Sequence, residues 1–269
     1  MIRGFYTSAA GMISQQRRQE MITNNLANVN TPGYRADDAS LRAFPNMLIK
    51  AMGVDNRPLG KSHTVGELST GVYLQERTMN FRQGDIHETG NSTDIALLQG
   101  VVPMNEETGR PGSLFFTVEN QNGEVRYTRN GNFTIDGQGF LTTSEGHYVL
   151  DNNGTRINVG SEDFQMSREG LLSTGAQINV AFVQDPNQLV KEGNGLLRYA
   201  GGQAVVSAIG NPNMTFQLQQ GFVERSNVDS AQAMTDMMTA FRAFEANQKI
   251  LQAYDQSLEK AVNQIGRLG

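Results

Sequence analysis

The chain has 269 residues, long enough for a substantial core and for more than one domain. Its formal net charge of −5 gives no basic surplus, so a nucleic-acid-binding surface is not indicated. With no Cys it has no disulfide, thiol nucleophile or Cys-based metal site, and no apolar run approaches the roughly 20 residues of a membrane helix.

At the N-terminus, residues 1–8 lack a continuous apolar core, so no cleavable secretory signal is expected, and export would need another route. From Ile2 to Leu26 apolar residues fall at helical spacing. Ile2, Phe5, Ala9 and Met12 form one stripe, which passes Gln16, Gln19 and Thr23 before Leu26 restores it. Ile13, Met21 and Ile22 lie off that line, so the helix is apolar on more than one side. An ordinary terminal helix packed on its own domain also fits this pattern.

The helix runs into Asn24-Asn25-Leu26-Ala27-Asn28-Val29-Asn30-Thr31-Pro32-Gly33-Tyr34. Asn amides compete for backbone groups and tolerate left-handed conformations, while Pro32 stops a helix and extends Thr31. The stretch is a helix exit, and Asn24, Asn25, Asn28 and Asn30 offer more amides than capping needs. Their spare donors and acceptors are expected to bond the paired helix or neighbouring subunits.

Residues 35–80 are expected to connect the ends to the middle. Leu41, Phe44, Met47, Leu48 and Met52 suggest a short helical or irregular apolar element, and residues 53–60 an exposed loop. From about 81 to 220 the period changes to two. Residues 124–129 and 132–135 alternate around Asn130-Gly131, a pair that predicts a hairpin turn with positive φ at both residues. Further turns are expected at 136–139, 144–146 and 152–154, with strands at 140–143, 147–150, 156–159, 177–183 and 204–206. Short strands at this spacing predict an antiparallel β domain.

Helical pattern returns near Phe222. Ser226-Asn227-Val228-Asp229 resembles a capping box. Beyond it, Met234, Met237, Phe241, Phe244, Gln248, Leu251, Asp255, Leu258, Val262 and Ile265 step by three and four, which predicts a helix with a coiled-coil-like seam. The polar pair Gln248 and Asp255 either fixes register or marks where the seam tilts away from its partner. The fold class is therefore α+β, mainly β, with an antiparallel β domain inserted between two terminal helices.

Nothing in the sequence assembles a reaction. His63, His87 and His147 are not ligand-spaced, Gly131, Gly137 and Gly139 suit turns, and no phosphate loop or nucleophile elbow is present. Asp151-Asn152-Asn153-Gly154 lacks the later ligands of a calcium loop. No catalytic, cofactor or metal site is expected, and the chain reads as a non-enzyme.

The 24–34 stretch resembles the N-terminal motif of the flagellar basal-body rod and hook protein family. Residues 220–229, Gln-Gly-Phe-Val-Glu-Arg-Ser-Asn-Val-Asp, are similar to its C-terminal motif, and 242–249, Arg-Ala-Phe-Glu-Ala-Asn-Gln-Lys, to the segment after it. Ser92-Thr93-Asp94-Ile95-Ala96 and residues 127–133 resemble its rod-type β domain. The family's Gly-x-Gly-Phe-Phe turn is replaced here by 98–116, so a reshaped hairpin is expected there. The short β region argues against the hook protein and fits a proximal or distal rod subtype.

The resemblance implies a structural subunit of the flagellar rod, soluble before export, carried unfolded through the flagellar type III apparatus, and polymerised head-to-tail into a torque-transmitting tube. It implies terminal helices that pair as a coiled coil through Ile2, Phe5, Ala9, Met12, Leu26, Met234, Met237, Phe241, Phe244, Leu251, Leu258, Val262 and Ile265. Asn24, Asn25, Asn28, Asn30, Thr31, Pro32, Gly33 and Tyr34 would form the exit, and Ser226, Asn227 and Val228 the return cap. The expected division is 1–34 plus 226–269 as the inner helical domain, 35–80 plus about 205–225 as connector, and 81–204 as outer β domain. Partners would be other copies, other rod and hook subunits and the export apparatus, with no nucleic acid and no membrane insertion. A secreted, non-enzymatic binding module with its β domain on a helical stalk is the alternative.

Overall fold

The structure, a computed structural model, describes residues 2–45, 47–51, 63–68, 71–106, 109–161, 163–202 and 205–265, with side chains except at 2–3, 47–51, 63–68 and 264–265. The chain is mainly β with a helix towards each end. Helix α1 spans Ile2–Ala27. It is followed by β1 (Asp37–Ala43), β2 (Met47–Ala51), β3 (His63–Leu68), β4 (Val72–Met79), β5 (Ile86–Glu88) and β6 (Ile95–Gln99). Next come β7 (Ser113–Glu119), β8 (Val125–Thr128), β9 (Phe133–Ile135), β10 (Leu141–Thr143), β11 (Tyr148–Val149) and β12 (Val180–Val183). The β region closes with β13 (Leu189–Lys191), β14 (Leu197–Tyr199), β15 (Val206–Ser207), β16 (Phe216–Gln220) and β17 (Phe222–Glu224), ahead of α2 (Ser230–Lys260).

These elements form two compact units. One gathers Met1–Leu26, Asp37–Thr78 and Ser230–Gly269, and the other Ala27–Ala36 and Met79–Asp229.

In the first unit α1 uses two faces. Towards α2, Gly4 lies against the Tyr254 ring and Gly11 against the Asn247 amide, seven residues further along α1 and seven back along α2. A longer contact, Arg18–Asp236 at 3.9 Å, continues the antiparallel run. On another face, Ala10 meets Gly71 and the Ser14 hydroxyl lies 2.9 Å from the Val72 carbonyl oxygen. Buried Met21 and Ile22, off the N-terminal apolar stripe, show that the helix does bury more than one side.

The second unit is built around β7, buried on both faces. Side chains alternate across a strand, so Leu114, Phe116 and Val118 enter the main core with Ile95, Leu97, Phe133, Leu141, Ile178, Val180 and Leu218. Phe115 points the other way, into a smaller cluster with Val183, Leu189 and Leu197. The sheet order is β13-β14-β8-β7-β11-β10-β9, and β12 pairs with both β7 and β15. The turns at 136–139 and 144–146 form as expected, with Gly139 and Gly146 at φ 88° and 83°.

Several local expectations are corrected. Described residues between 37 and 79 form strands, not a helical or irregular element: β1 pairs with β4 and β2 with β3. Met52 and the loop expected at 53–60 lie outside the described residues. Asn130-Gly131 is not a hairpin turn. Strand β8 pairs with β7 and β14, β9 pairs with β10, and neither Asn130 nor Gly131 has positive φ. The Gly is needed for close approach: its carbonyl accepts the Ile95 N–H at 2.9 Å, and a Cβ there would overlap the Ile95 carbonyl oxygen.

In the reshaped 98–116 region, β6 pairs with β16 rather than folding back on β7. The Gln99 side chain spans the gap, donating to Gly112 O and accepting from Leu114 N, both at 3.1 Å. The chain is still extended at Phe222–Glu224, and α2 begins only at Ser230. The capping box expected at Ser226–Asp229 therefore falls before the helix. Ser226 Oγ instead accepts from Val228 N at 3.3 Å, a local turn.

Candidate functional site

The helix exit is fixed by its own short-range bonds. Thr31 N–H donates to the Asn28 carbonyl at 3.1 Å, Thr31 Oγ1 to Asn28 Oδ1 at 3.2 Å, and Tyr34 N–H to Thr31 O at 3.3 Å. Gly33 then takes φ 67°, where other residues are strained. A Cβ on Gly33 would also overlap the Arg129–Asn130 peptide, so conformation and space both require Gly. Asn25 is engaged within its own unit, donating to Asp37 O and accepting from Asp37 N, each at 2.9 Å. That amide serves as a clamp on the start of β1.

Past Gly33 the chain meets a buried carboxylate, Glu224, 1% exposed at the end of β17. Glu224 O accepts the Gly33 N–H at 2.8 Å. Its Oε1 lies 2.6 Å from Arg35 Nη1 and takes the Gly84 N–H at 2.9 Å, while its Oε2 takes Arg129 Nε at 2.6 Å. Arg129 donates its remaining nitrogens to the carbonyls of Leu114 (2.6 Å) and Leu97 (2.7 Å), at the start of β7 and within β6. Arg35 Nη1 also reaches Arg82 O at 2.9 Å.

Two guanidiniums share one carboxylate, all three side chains nearly inaccessible. Burial pushes the Arg129 guanidinium below its ordinary value; the Glu224 charge opposes this and Arg35 reinforces it. Such a group stabilises only while complete, since removing the acid strands two buried cations.

Around this centre other tethers converge. Lys191 Nζ donates to Arg35 O at 2.8 Å and sits 4.3 Å from the Tyr34 ring centroid. Asn227 Oδ1 accepts the Ala36 N–H at 2.8 Å, and its Nδ2 donates to Asn80 O and Arg82 O at 2.8 and 3.0 Å. Nearby, buried Asp94 accepts from Asn132 Nδ2 at 2.7 Å, Thr89 Oγ1 at 2.5 Å and Asn91 Nδ2 at 3.1 Å. Thus the sequence-identified Gly33, Tyr34 and Asn227 come together with the two β-domain motifs. Glu224, Arg35, Arg129 and Lys191 were not singled out from sequence. Glu224 and Arg129 inside the motif stretches, with Arg35 just past the first of them, were the available signal, but nothing in their spacing announces burial.

The helix residues sort differently. On α1, Ala9, Met12 and Leu26 are half-buried and Phe5 is exposed. On α2 the half-buried to buried line runs through Ala233, Met237, Ala240, Phe244, Asn247, Leu251, Tyr254 and Leu258, and continues to Ala261 just past its end. It shares Met237, Phe244, Leu251 and Leu258 with the expected seam. Met234 (54% exposed), Phe241 (52%) and Val262 (72%) face solvent, as do Gln248 and Asp255. The side chains of Ile2 and Ile265 lie outside the described residues. A cleft of about 250 Å³ between the helices is lined by Gln19, Thr23, Met237, Met238, Phe241 and Arg242. Among the described residues, no group of three His, Asp or Glu is placed to hold a metal, and no helix is long and apolar enough to cross a membrane.

Comparison with known proteins covers the same segments. Residues 5–35 match the family described as "Flagella basal body rod protein", 111–176 the "Flagellar hook protein FlgE/F/G D1 domain", and 219–265 the "Flagellar basal body rod FlgEFG protein C-terminal". The flagellar hook-basal body complex protein FlhO of Bacillus subtilis is 42% identical over 273 residues, spanning all of both chains. The flagellar basal-body rod protein FlgG of the same organism is 28% identical over 284 residues, covering 98% of this chain and 99% of its own. FlgF of Caulobacter vibrioides is 27% identical over 274 residues, again spanning both chains. On this full-length similarity, the chain belongs to the flagellar hook-basal body and rod protein family.

Proposed function

We propose that this chain is a structural, non-catalytic subunit of the bacterial flagellar rod, in the hook-basal body complex. The observation that carries the reading is the match to hook-basal body and rod proteins along the whole chain. In this reading the subunit is soluble before export, leaves the cytoplasm unfolded through the flagellar type III apparatus, and polymerises outside it. Its partners are further copies of itself and other rod or hook subunits.

The mechanism is mechanical. A tube that transmits torque needs a head-to-tail contact that does not close on itself after one turn. In this reading the terminal segments, 1–34 with 226–269, line the inner wall of that tube, 81–204 forms its outer domain and 35–80 with about 205–225 connects them, although 27–36 groups with the β unit and 37–78 with the helices. Contacts of α1 with α2 at seven-residue intervals support coiled-coil-like pairing. The exposed α2 residues supply further apolar surface. Burying a large apolar side chain fully contributes roughly 1.5–3 kcal/mol. Phe241 retains about half its surface in solvent, so about half of that gain is left for assembly.

Hook-basal bodies purified from wild-type cells test the assignment. Quantitative mass spectrometry should find the chain as a stoichiometric component. Its absence there, together with abundance in the culture medium, contradicts the rod reading and fits a secreted module.

A further inference from the structure

Residues 27–36 begin at the last residue of α1, yet they belong to the β unit. They are held by backbone hydrogen bonds and by a buried ion pair. Gly33 N–H donates to the Glu224 backbone carbonyl, the Arg35 guanidinium pairs with the Glu224 carboxylate, and Ala36 N–H donates to the Asn227 amide oxygen. The Arg35 carbonyl is taken by Lys191. Glu224 is itself held by the Gly84 N–H and by Arg129, whose other nitrogens reach the carbonyls of Leu97 and Leu114. Leu97 and Leu114 are themselves core residues. A continuous chain of short bonds therefore joins the exit segment to the main core.

We propose that the Glu224 carboxylate is the positioning group of the N-terminal segment, a latch that makes 33–36 an integral part of the β unit independently of whether α1 is ordered on α2. The charge count gives the latch a signature. Arg35 and Arg129 carry two positive charges against one negative, so loss of Arg35 leaves a balanced Arg129–Glu224 pair. Loss of the Glu224 charge instead leaves two buried cations facing each other. Removing Arg35 therefore releases the segment and spares the core, whereas removing the Glu224 charge damages both. In the rod reading, on which its consequence for assembly rests, the latch gives the helix a fixed anchor before its partners arrive.

Amide hydrogen exchange on the full-length monomer tests this. In the unaltered chain, the amides of Gly33 and Ala36 should be protected to the level of β6 and β7, whatever the protection across α1. Arg35→Met should lower protection at Gly33 and Ala36 about 10- to 100-fold, the range expected for a buried charge-assisted bond, with Ile95–Gln99 and Ser113–Glu119 unchanged. Glu224→Gln should lower protection at both places.

Three outcomes overturn the inference: Gly33 and Ala36 exchanging freely in the unaltered chain, Arg35→Met leaving their protection intact, or Arg35→Met lowering protection in β6 and β7 equally. If Glu224→Gln does not fold, Arg35→Met still decides. None of these results bears on the rod assignment, which the basal-body composition tests separately.

Discussion

Gly4→Ala and Gly11→Ala should rank in a definite order. A Cβ on Gly4 would stand 2.5 Å from Tyr254 Cζ and 3.1 Å from its Cε2. Carbon atoms in good contact are about 3.5–4.0 Å apart, so the ring must retreat by about 1 Å, and overpacking of this kind costs about 1–3 kcal/mol. Ala gains up to about 1 kcal/mol over Gly in a helix interior, and less at Gly4, in the first turn. The net loss at Gly4 is then about 1–2 kcal/mol per subunit, roughly 5- to 30-fold in the pairing equilibrium. At Gly11 the new methyl meets the Asn247 amide at 3.0–3.3 Å. A flexible side chain can give by a few tenths of an ångström there, and the propensity gain nearly cancels the cost.

The assay is the number of complete hook-basal bodies per cell, counted by electron microscopy, with circular dichroism confirming that each purified chain retains its β structure. Gly4→Ala should reduce the count and Gly11→Ala leave it close to normal. In a Tyr254→Ala background Gly4→Ala should lose its effect, because the two changes act on one contact. If Gly11→Ala proves the more harmful, or if Gly4→Ala is equally harmful without the Tyr254 ring, the helix pairing described here is wrong.

Leu251→Asp and Leu258→Asp, on the half-buried line of α2, should abolish assembly while leaving the β unit folded; intact basal bodies containing either variant would remove that line from the interface. Asn25→Ala should act within the subunit, since its amide donates to Asp37 O and accepts from Asp37 N. Loss of two bonds worth about 0.5–1.5 kcal/mol each should speed exchange at Asp37 N–H, and unchanged exchange there would contradict the clamp.

Acid should weaken the β unit. The Arg156 hydrogen bond holds the Glu119 carboxyl below its ordinary value. Burial raises Asp151, but bonds from Thr155 and Asn153 more than offset this and lower it. Groups depressed in the folded state stabilise it above their unfolded pKa and lose that contribution as pH falls through the folded one. The melting temperature should hold between pH 5 and 7 and drop below about pH 4, and a curve flat to pH 2 would contradict this.

The strands at 140–143 and 147–150 were legible because alternation and turn Gly coincide, and α1 because its spacing is helical over seven turns. Asn130-Gly131 misled because Gly serves two purposes that look alike in sequence: positive φ, and room for another backbone. Only the position of Ile95, 36 residues away, tells them apart. Residues 37–79 hid their strands because the apolar residues there follow no clean period of two.

On α2 the apolar residues mark one register, whereas the half-buried to buried line includes Ala233, Ala240, Asn247 and Tyr254. Gly4 and Gly11, lacking Cβ, leave room on α1 for the Tyr254 ring and the Asn247 amide. Met234 and Phe241 lie off that line and are about half exposed. Burial of Glu224 was not legible at all, since its partners Arg35, Gly84 and Arg129 come from three separated segments.

The chain is a structural part of the hook-basal body and rod assembly. A clean deletion, complemented in trans by the intact chain, tests it most directly, with electron microscopy of the cell envelope and of motility-grown cells as the readout. Deletion cells should lack hook and filament, and complementation should restore both. Flagella of normal number and length in the deletion strain would contradict it.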